Sequence, residues 1–212
     1  MDLDITYVVM VLIAVFASMV LHEVMHGLTA YWLGDNTAKE NGRLSLNPLK
    51  HIDPFLTILL PVILAIIGGP IFGGAKPVPF RPDRVKGGEW GAALVGIAGP
   101  LTNLVLAFGC FGALVLFGTA GFVGQFLLVG VMVNLGFFAF NMLPIPPLDG
   151  SRVLYAVAPE GVRRAMEAIE RMGLIIIFAV VLIASPVISV ILLGIIRFVL
   201  NIFAVIFGVQ II

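Results

Sequence analysis

Charge is what this chain lacks most. Charged residues make up 11% of its 212 positions, where a soluble domain carries about 25%. Hydrophobic residues make up 60%, more than a soluble core of this size can hide, so the composition specifies a polytopic membrane protein. The 12 basic and 12 acidic side chains cancel, and with no basic excess nothing points to nucleic acid. Cys110 is the only cysteine, which excludes an intrachain disulfide; between Gly109 and Phe111 it reads as a small packing residue. Asp2 and Asp4 stand where a secretory signal peptide needs positive charge, so the first apolar segment is expected to stay as a membrane anchor. No long polar linker, low-complexity tract or internal repeat interrupts the chain, and one membrane-embedded domain is expected over 1–212.

Histidine is equally rare: there are 3. Two of them fall in His22-Glu23-Val24-Met25-His26, inside an apolar segment. Histidines at i and i+4 share one face of a helix and can share a metal ion. The glutamate between them can take a proton from a water polarised by that metal. Ionisable groups at membrane depth are expensive and usually functional. The pattern therefore suggests peptide-bond hydrolysis within the bilayer.

Hydropathy and turn residues divide the chain. A first helix is expected from about Ile5 to Leu33, roughly 40 Å long at 1.5 Å per residue, ended by Gly34-Asp35-Asn36. Asp35 to Pro54 is polar, and Gly42 to Pro48 alternates as a short strand would. Residues 54–72 are apolar but broken by Pro61, Gly68, Gly69 and Pro70. Trp90 to Phe117 and Gln125 to Met142 read as spanning helices. The second of these runs into Leu143-Pro144-Ile145-Pro146-Pro147-Leu148-Asp149-Gly150, where the prolines forbid regular helix. Pro159 to Arg171 reads as a polar interfacial helix. Met172 to Ile212 reads as further membrane helix, with a break at Ser185-Pro186.

All Lys and Arg residues except Arg197 fall in 35–54, 73–89 and 150–171. The positive-inside rule assigns those segments to the cytoplasmic side, which requires 54–72 to return to the side it left, as a re-entrant segment. Arg197 is expected to snorkel to an interface.

A catalytic zinc takes three protein ligands and keeps one position open. Asp149 is the best third candidate beside His22 and His26, because an ionised aspartate in such surroundings needs a cation or strong donors. By itself it reads more readily as a loop residue capping the next helix; the upstream motif favours the ligand. Sharing a metal would put the ends of the first and third spans on one side, the parity that a re-entrant 54–72 also demands. Asn103, after Gly99-Pro100-Leu101-Thr102, offers an amide to an oxyanion or an interhelical hydrogen bond. Asn141 reads as a structural residue before the proline-rich segment, His51 as a hydrogen-bonded turn residue, and Gly99 and Gly109 as close-packing positions.

Taken as a set, His22-Glu23-Val24-Met25-His26, Gly99-Pro100-Leu101-Thr102-Asn103 and Asn141-Met142-Leu143-Pro144 leading to Leu148-Asp149-Gly150 resemble the site-2 protease family of intramembrane zinc metalloproteases. Gly42 to Pro48 and Lys76-Pro77-Val78-Pro79 resemble those of a minimal subgroup without PDZ or CBS domains. The resemblance implies an all-α membrane core over about 5–150. It would hold three spanning helices and a re-entrant segment with short β-strands, followed by C-terminal interfacial and membrane helices over about 159–212. It implies one zinc ion on His22, His26 and Asp149, Glu23 as the catalytic glutamate, and Asn103 at the substrate or oxyanion. The expected partners are transmembrane proteins or peptides and the lipid bilayer, in a prokaryotic plasma membrane with the site toward the cytoplasm. An unwound substrate could add as a strand to an edge at Leu44 to Leu46 or Val78 to Phe80. Two rival readings are a metal-carrying membrane transporter and a catalytically silent binding relative. Clustered ligands argue against the first, and the intact Glu23 against the second.

Overall fold

The computed structural model describes residues 4–59, 62–63 and 74–210. The protein is an all-helical integral membrane protein. Among the described residues, four helices are long and apolar enough to cross a bilayer: Ile5–Trp32, Gly88–Phe117, Gly121–Asn141 and Pro186–Phe207.

Helix α1 (Ile5–Trp32) is capped by Asp4, whose side chain accepts from Thr6 N. It ends where Gly34 takes φ 106°, a left-handed conformation that glycine adopts without steric penalty. A single turn, α2 (Thr37–Glu40), follows. Buried Asp35 fixes this corner by accepting from Thr37 N, Thr37 Oγ1 and, at 2.6 Å, the N–H of Arg81. Helices α3 (Gly88–Phe117) and α4 (Gly121–Asn141) form an antiparallel pair joined by a short turn. The amphipathic α5 (Gly150–Val157) and α6 (Glu160–Arg171) precede α7 (Leu174–Phe207).

The start of α3 meets the end of α1: Lys86 N donates to Leu33 O at 2.8 Å. Deeper in the bundle, Ala107 and Phe111 of α3, Val131 and Leu135 of α4, and Val199 and Phe203 of α7 make one buried cluster. Lipid tails are as apolar as these side chains, so their association rests on close packing. Gly112 serves it: a Cβ there would lie 2.8 Å from Phe207 Cζ.

Three expectations change. Gly42 to Pro48 forms no strand: Lys50 Nζ donates to Gly42 O, Ser45 N to Arg43 O, and the chain turns into a 3₁₀ helix at Pro48–His51. At Val78 to Phe80 no strand forms either, and the chain leading into that edge is held by other contacts. Lys76 N donates to His51 O and Val78 N to Glu23, while the Lys76 and Pro77 carbonyls both accept from Arg43. Pro77 and Pro79 have no N–H to offer. The break expected at Ser185-Pro186 is absent, because α7 runs through Pro186, as membrane helices permit when the freed backbone groups find other partners. Pro54–Leu59 forms a π-helical turn, while most of the expected re-entrant stretch, at 60–61 and 64–73, lies outside the described residues.

Candidate metal centre

Three elements converge at one depth. His22 and His26 lie one turn apart on α1 and are both buried. Asp149 arrives from the proline-broken loop after α4, and Arg152 N donates to its carbonyl in the first turn of α5. Gly150 lets this loop fold back, since a Cβ there would lie 2.6 Å from the Met142 carbonyl carbon. The third element is α3, whose Gly96, Gly99 and Asn103 share one face. A Cβ at Gly96 would lie 3.0 Å from Asp149 O, and one at Gly99 would lie 2.6 Å from His22 Nε2. Gly99 therefore makes room for the imidazoles, whereas a Cβ at Gly109 would meet nothing within 4 Å. The expected close-packing role holds at Gly99, which lets its helix approach the imidazoles of α1, and fails at Gly109, which faces open space.

The donor atoms face one another. His22 Nε2 lies 3.0 Å from His26 Nε2, and Asp149 Oδ2 lies 3.1 Å from the first and 3.4 Å from the second. Ligand atoms about 2.0–2.1 Å from a tetrahedral zinc lie roughly 3.3 Å from each other, so these three fit the edges of that polyhedron. The outer ring nitrogens are engaged: His26 Nδ1 donates to Val95 O at 2.7 Å and His22 Nδ1 to Asn103 Oδ1 at 2.6 Å. That leaves both Nε2 atoms directed inward. Burial alone would raise the Asp149 carboxyl, but the His26 and His22 rings outweigh it and hold it well below the usual carboxylate range. Two imidazole nitrogens and an anionic oxygen, close enough to repel without a proton or cation among them, form a set suited to a divalent ion. His22, His26 and Asp149 are such a group among the described residues.

Glu23 does not join this triangle. Its Oε2 accepts from the backbone N–H of Val78 at 2.8 Å. Asn103 is fully buried, with its oxygen on His22 and its amide nitrogen donating to Asn134 Oδ1 at 2.9 Å and Ser18 O at 3.5 Å. Its donors are thus engaged with α1 and α4. Asn134 carried no signal in the sequence beyond being a lone amide in an apolar helix. Asn141 bonds back to Phe137 O on its own helix. His51 is buried and donates to Ser45 O, the expected turn role. Arg197 is exposed on α7, and Cys110 packs where a Cβ on Gly130 would lie 3.0 Å from its Sγ.

Comparison with known proteins places the chain among zinc metalloproteases. The model for "Peptidase family M50" matches residues 118–185, a stretch that includes Asp149. "Putative zinc metalloprotease YwhC" of Bacillus subtilis is 42% identical over 173 residues, covering 77% of this chain and 76% of that protein. "Putative zinc metalloprotease Rip2" of Mycolicibacterium smegmatis is 35% identical over 80% of this chain and 64% of its own length. "Putative zinc metalloprotease MJ0611" of Methanocaldococcus jannaschii is 32% identical over 68% of each chain. No solved structure matches the chain.

Proposed function

From the premise that this chain belongs to peptidase family M50, the site-2 protease family of intramembrane zinc metalloproteases, we propose that His22, His26 and Asp149 hold the zinc and that Glu23 is the general base. The observation that carries this reading is the inward triangle of two Nε2 atoms and one carboxylate oxygen at 3.0–3.4 Å. One membrane-embedded domain, 1–212, would contain the whole centre.

When bound, zinc acts as a Lewis acid on the scissile carbonyl and on the attacking water. The chain's own residues do the rest. Val78 N–H holds one oxygen of Glu23, and Oε1 takes the proton of the attacking water and returns it to the leaving amine. Asn103 positions His22 by accepting from its Nδ1, and Val95 O does the same for His26. We assign Asn103 this positioning role in place of oxyanion binding, because its amide donors are engaged with Asn134 and Ser18.

The substrates are transmembrane segments of other proteins. Such a helix hides its carbonyls in backbone hydrogen bonds, so cleavage requires local unwinding beside Glu23. Val78 bonds to Glu23 and so lies beside that approach, and β-pairing at Leu44 to Leu46 or Val78 to Phe80 would arise only with substrate in place. The end of α1 and the start of α3 lie on one side of the membrane. The Lys86–Leu33 hydrogen bond between them supports that parity, and the distribution of Lys and Arg supports a cytoplasmic site in a prokaryotic plasma membrane.

The test is purified protein in detergent with a transmembrane model substrate. Zinc-dependent cleavage should vanish in Glu23→Gln while zinc content stays at the wild-type level. Undiminished cleavage by Glu23→Gln would remove that residue from its role.

A further inference from the structure

We propose that Asn134 is a positioning residue for the metal centre: through Asn103 it sets which nitrogen of His22 carries the proton. This deepens the zinc reading above and rests on it.

Three links away from the ligand atoms lies a group whose polarity is fixed. Asn134 Nδ2 lies 2.8 Å from Gly130 O on its own helix. A backbone carbonyl can only accept, so this contact pins the amide nitrogen of Asn134 against α4 and turns its oxygen toward α3. There it meets Asn103 at 2.9 Å. An oxygen on that side requires Asn103 to present its nitrogen, which turns Asn103 Oδ1 onto His22 Nδ1 at 2.6 Å. An amide oxygen opposite Nδ1 requires a proton on Nδ1, and neutral imidazole then keeps its lone pair on Nε2. Nε2 is the atom directed at His26 and Asp149.

Reversing Asn103 would invert every link. Its nitrogen would face His22 Nδ1 and draw the lone pair there, placing the proton on Nε2, where it blocks a cation. Its oxygen would also oppose the Asn134 oxygen, acceptor against acceptor. Asn103 and Asn134 are 0% and 4% exposed, so bulk water has no access to repair the mismatch. A main-chain carbonyl anchors the orientation of both amides. His26 needs no such relay, because its Nδ1 donates directly to Val95 O. The relay also places two duties on α4, which orients one imidazole through Asn134 and leads into the loop that delivers Asp149.

A double-mutant cycle on zinc affinity tests this, read by chelator competition on purified protein in detergent. Asn134→Leu, close to asparagine in size, should weaken zinc binding by about 10–100-fold, the range for outer-shell partners. In an Asn103→Asp background a carboxylate oxygen accepts from His22 Nδ1 whichever way the side chain turns, while the other oxygen opposes Asn134 Oδ1, acceptor against acceptor. There Asn134→Leu should cause no loss of zinc affinity, because it removes a clash and no longer a relay. An unchanged affinity for Asn134→Leu alone, or an equal loss in both backgrounds as a packing defect would give, overturns the proposal. If leucine prevents folding, Asn134→Ser carries the same comparison: its hydroxyl can bond to Gly130 O and is too short to reach Asn103. Wild-type protein that binds no zinc would overturn the metal reading itself, whereas tight zinc in wild type and in Asn134→Leu alike would overturn only the relay.

Discussion

The backbone N–H of Val78 donates to Glu23 Oε2 at 2.8 Å, joining residues 55 positions apart. This contact orients the proposed base, and the segment that supplies it is held at both ends. Buried Arg43 donates to Lys76 O at 2.6 Å and to Pro77 O at 3.4 Å. Asp35 accepts from Arg81 N. Arg43→Ala should therefore lower kcat by roughly tenfold or more, because small misplacements of a catalytic group carry large rate penalties. Zinc content should stay unchanged, since no ligand is touched. Arg43→Lys should restore part of the rate, because one nitrogen, Nη2, makes both contacts and an ammonium can donate to two carbonyls in the same way. Steady-state cleavage with zinc analysis checks all three outcomes.

Gly99 and Gly109 make a matched pair on one helix. A methyl at Gly99 would lie 2.6 Å from His22 Nε2, whereas one at Gly109 would meet nothing within 4 Å. Gly99→Ala should abolish measurable zinc binding and cleavage by displacing the imidazoles. Gly109→Ala should match wild type in both, and its helix should gain up to about 1 kcal/mol from alanine's higher propensity. Equal zinc content in the two variants would contradict the crowding at Gly99.

Removing a ligand should exceed the effect of removing its supports. Asp149→Asn and His22→Ala should each weaken zinc affinity by more than the roughly 10–100-fold that outer-shell partners control. Asp149→Asn is the sharper test, because it keeps the size of the side chain and removes its charge. Metal analysis after dialysis against a weak chelator gives the comparison.

Asp35 predicts an acid limb of stability. Burial alone would raise its pKa, but the Thr37 hydroxyl and the N–H groups of Arg81 and Thr37 outweigh that and lower it. A carboxylate whose folded pKa is depressed contributes stability that is fully present above the unfolded value, about 3.9, and is lost as pH falls through the folded value. Thermal unfolding in detergent should therefore show the midpoint falling below about pH 4, and less steeply in Asp35→Asn. An equally steep fall in Asp35→Asn would remove Asp35 from this role.

Periodicity and punctuation made much of the fold legible in the sequence. The first helix was bounded by Gly34, the α3 and α4 spans by apolar runs, and the interfacial helix by Pro159. The metal motif was legible because His22 and His26 need only helical spacing to share a face. Elsewhere local signals misled. Gly42 to Pro48 alternates like a strand, yet its groups bond locally to Lys50 and His51 and no ladder forms among the described residues. Ser185-Pro186 reads as a stop, yet α7 continues through it.

Composition, helical spacing and the scarcity of ionisable groups determined that this is a membrane protein with two imidazoles on one face near one end of its first span. Those properties depend on neighbours along the chain, and a single sequence carries them. Tertiary structure decided which atoms meet across it. It put Asp149 Oδ2 against two imidazoles, Val78 N–H on Glu23, Gly99 beneath the rings, and the Gly130–Asn134–Asn103 chain behind His22. Each of these joins separate elements through contacts of a few ångströms, set by how the helices pack and how deep a proline-broken loop reaches. No local pattern encodes those distances.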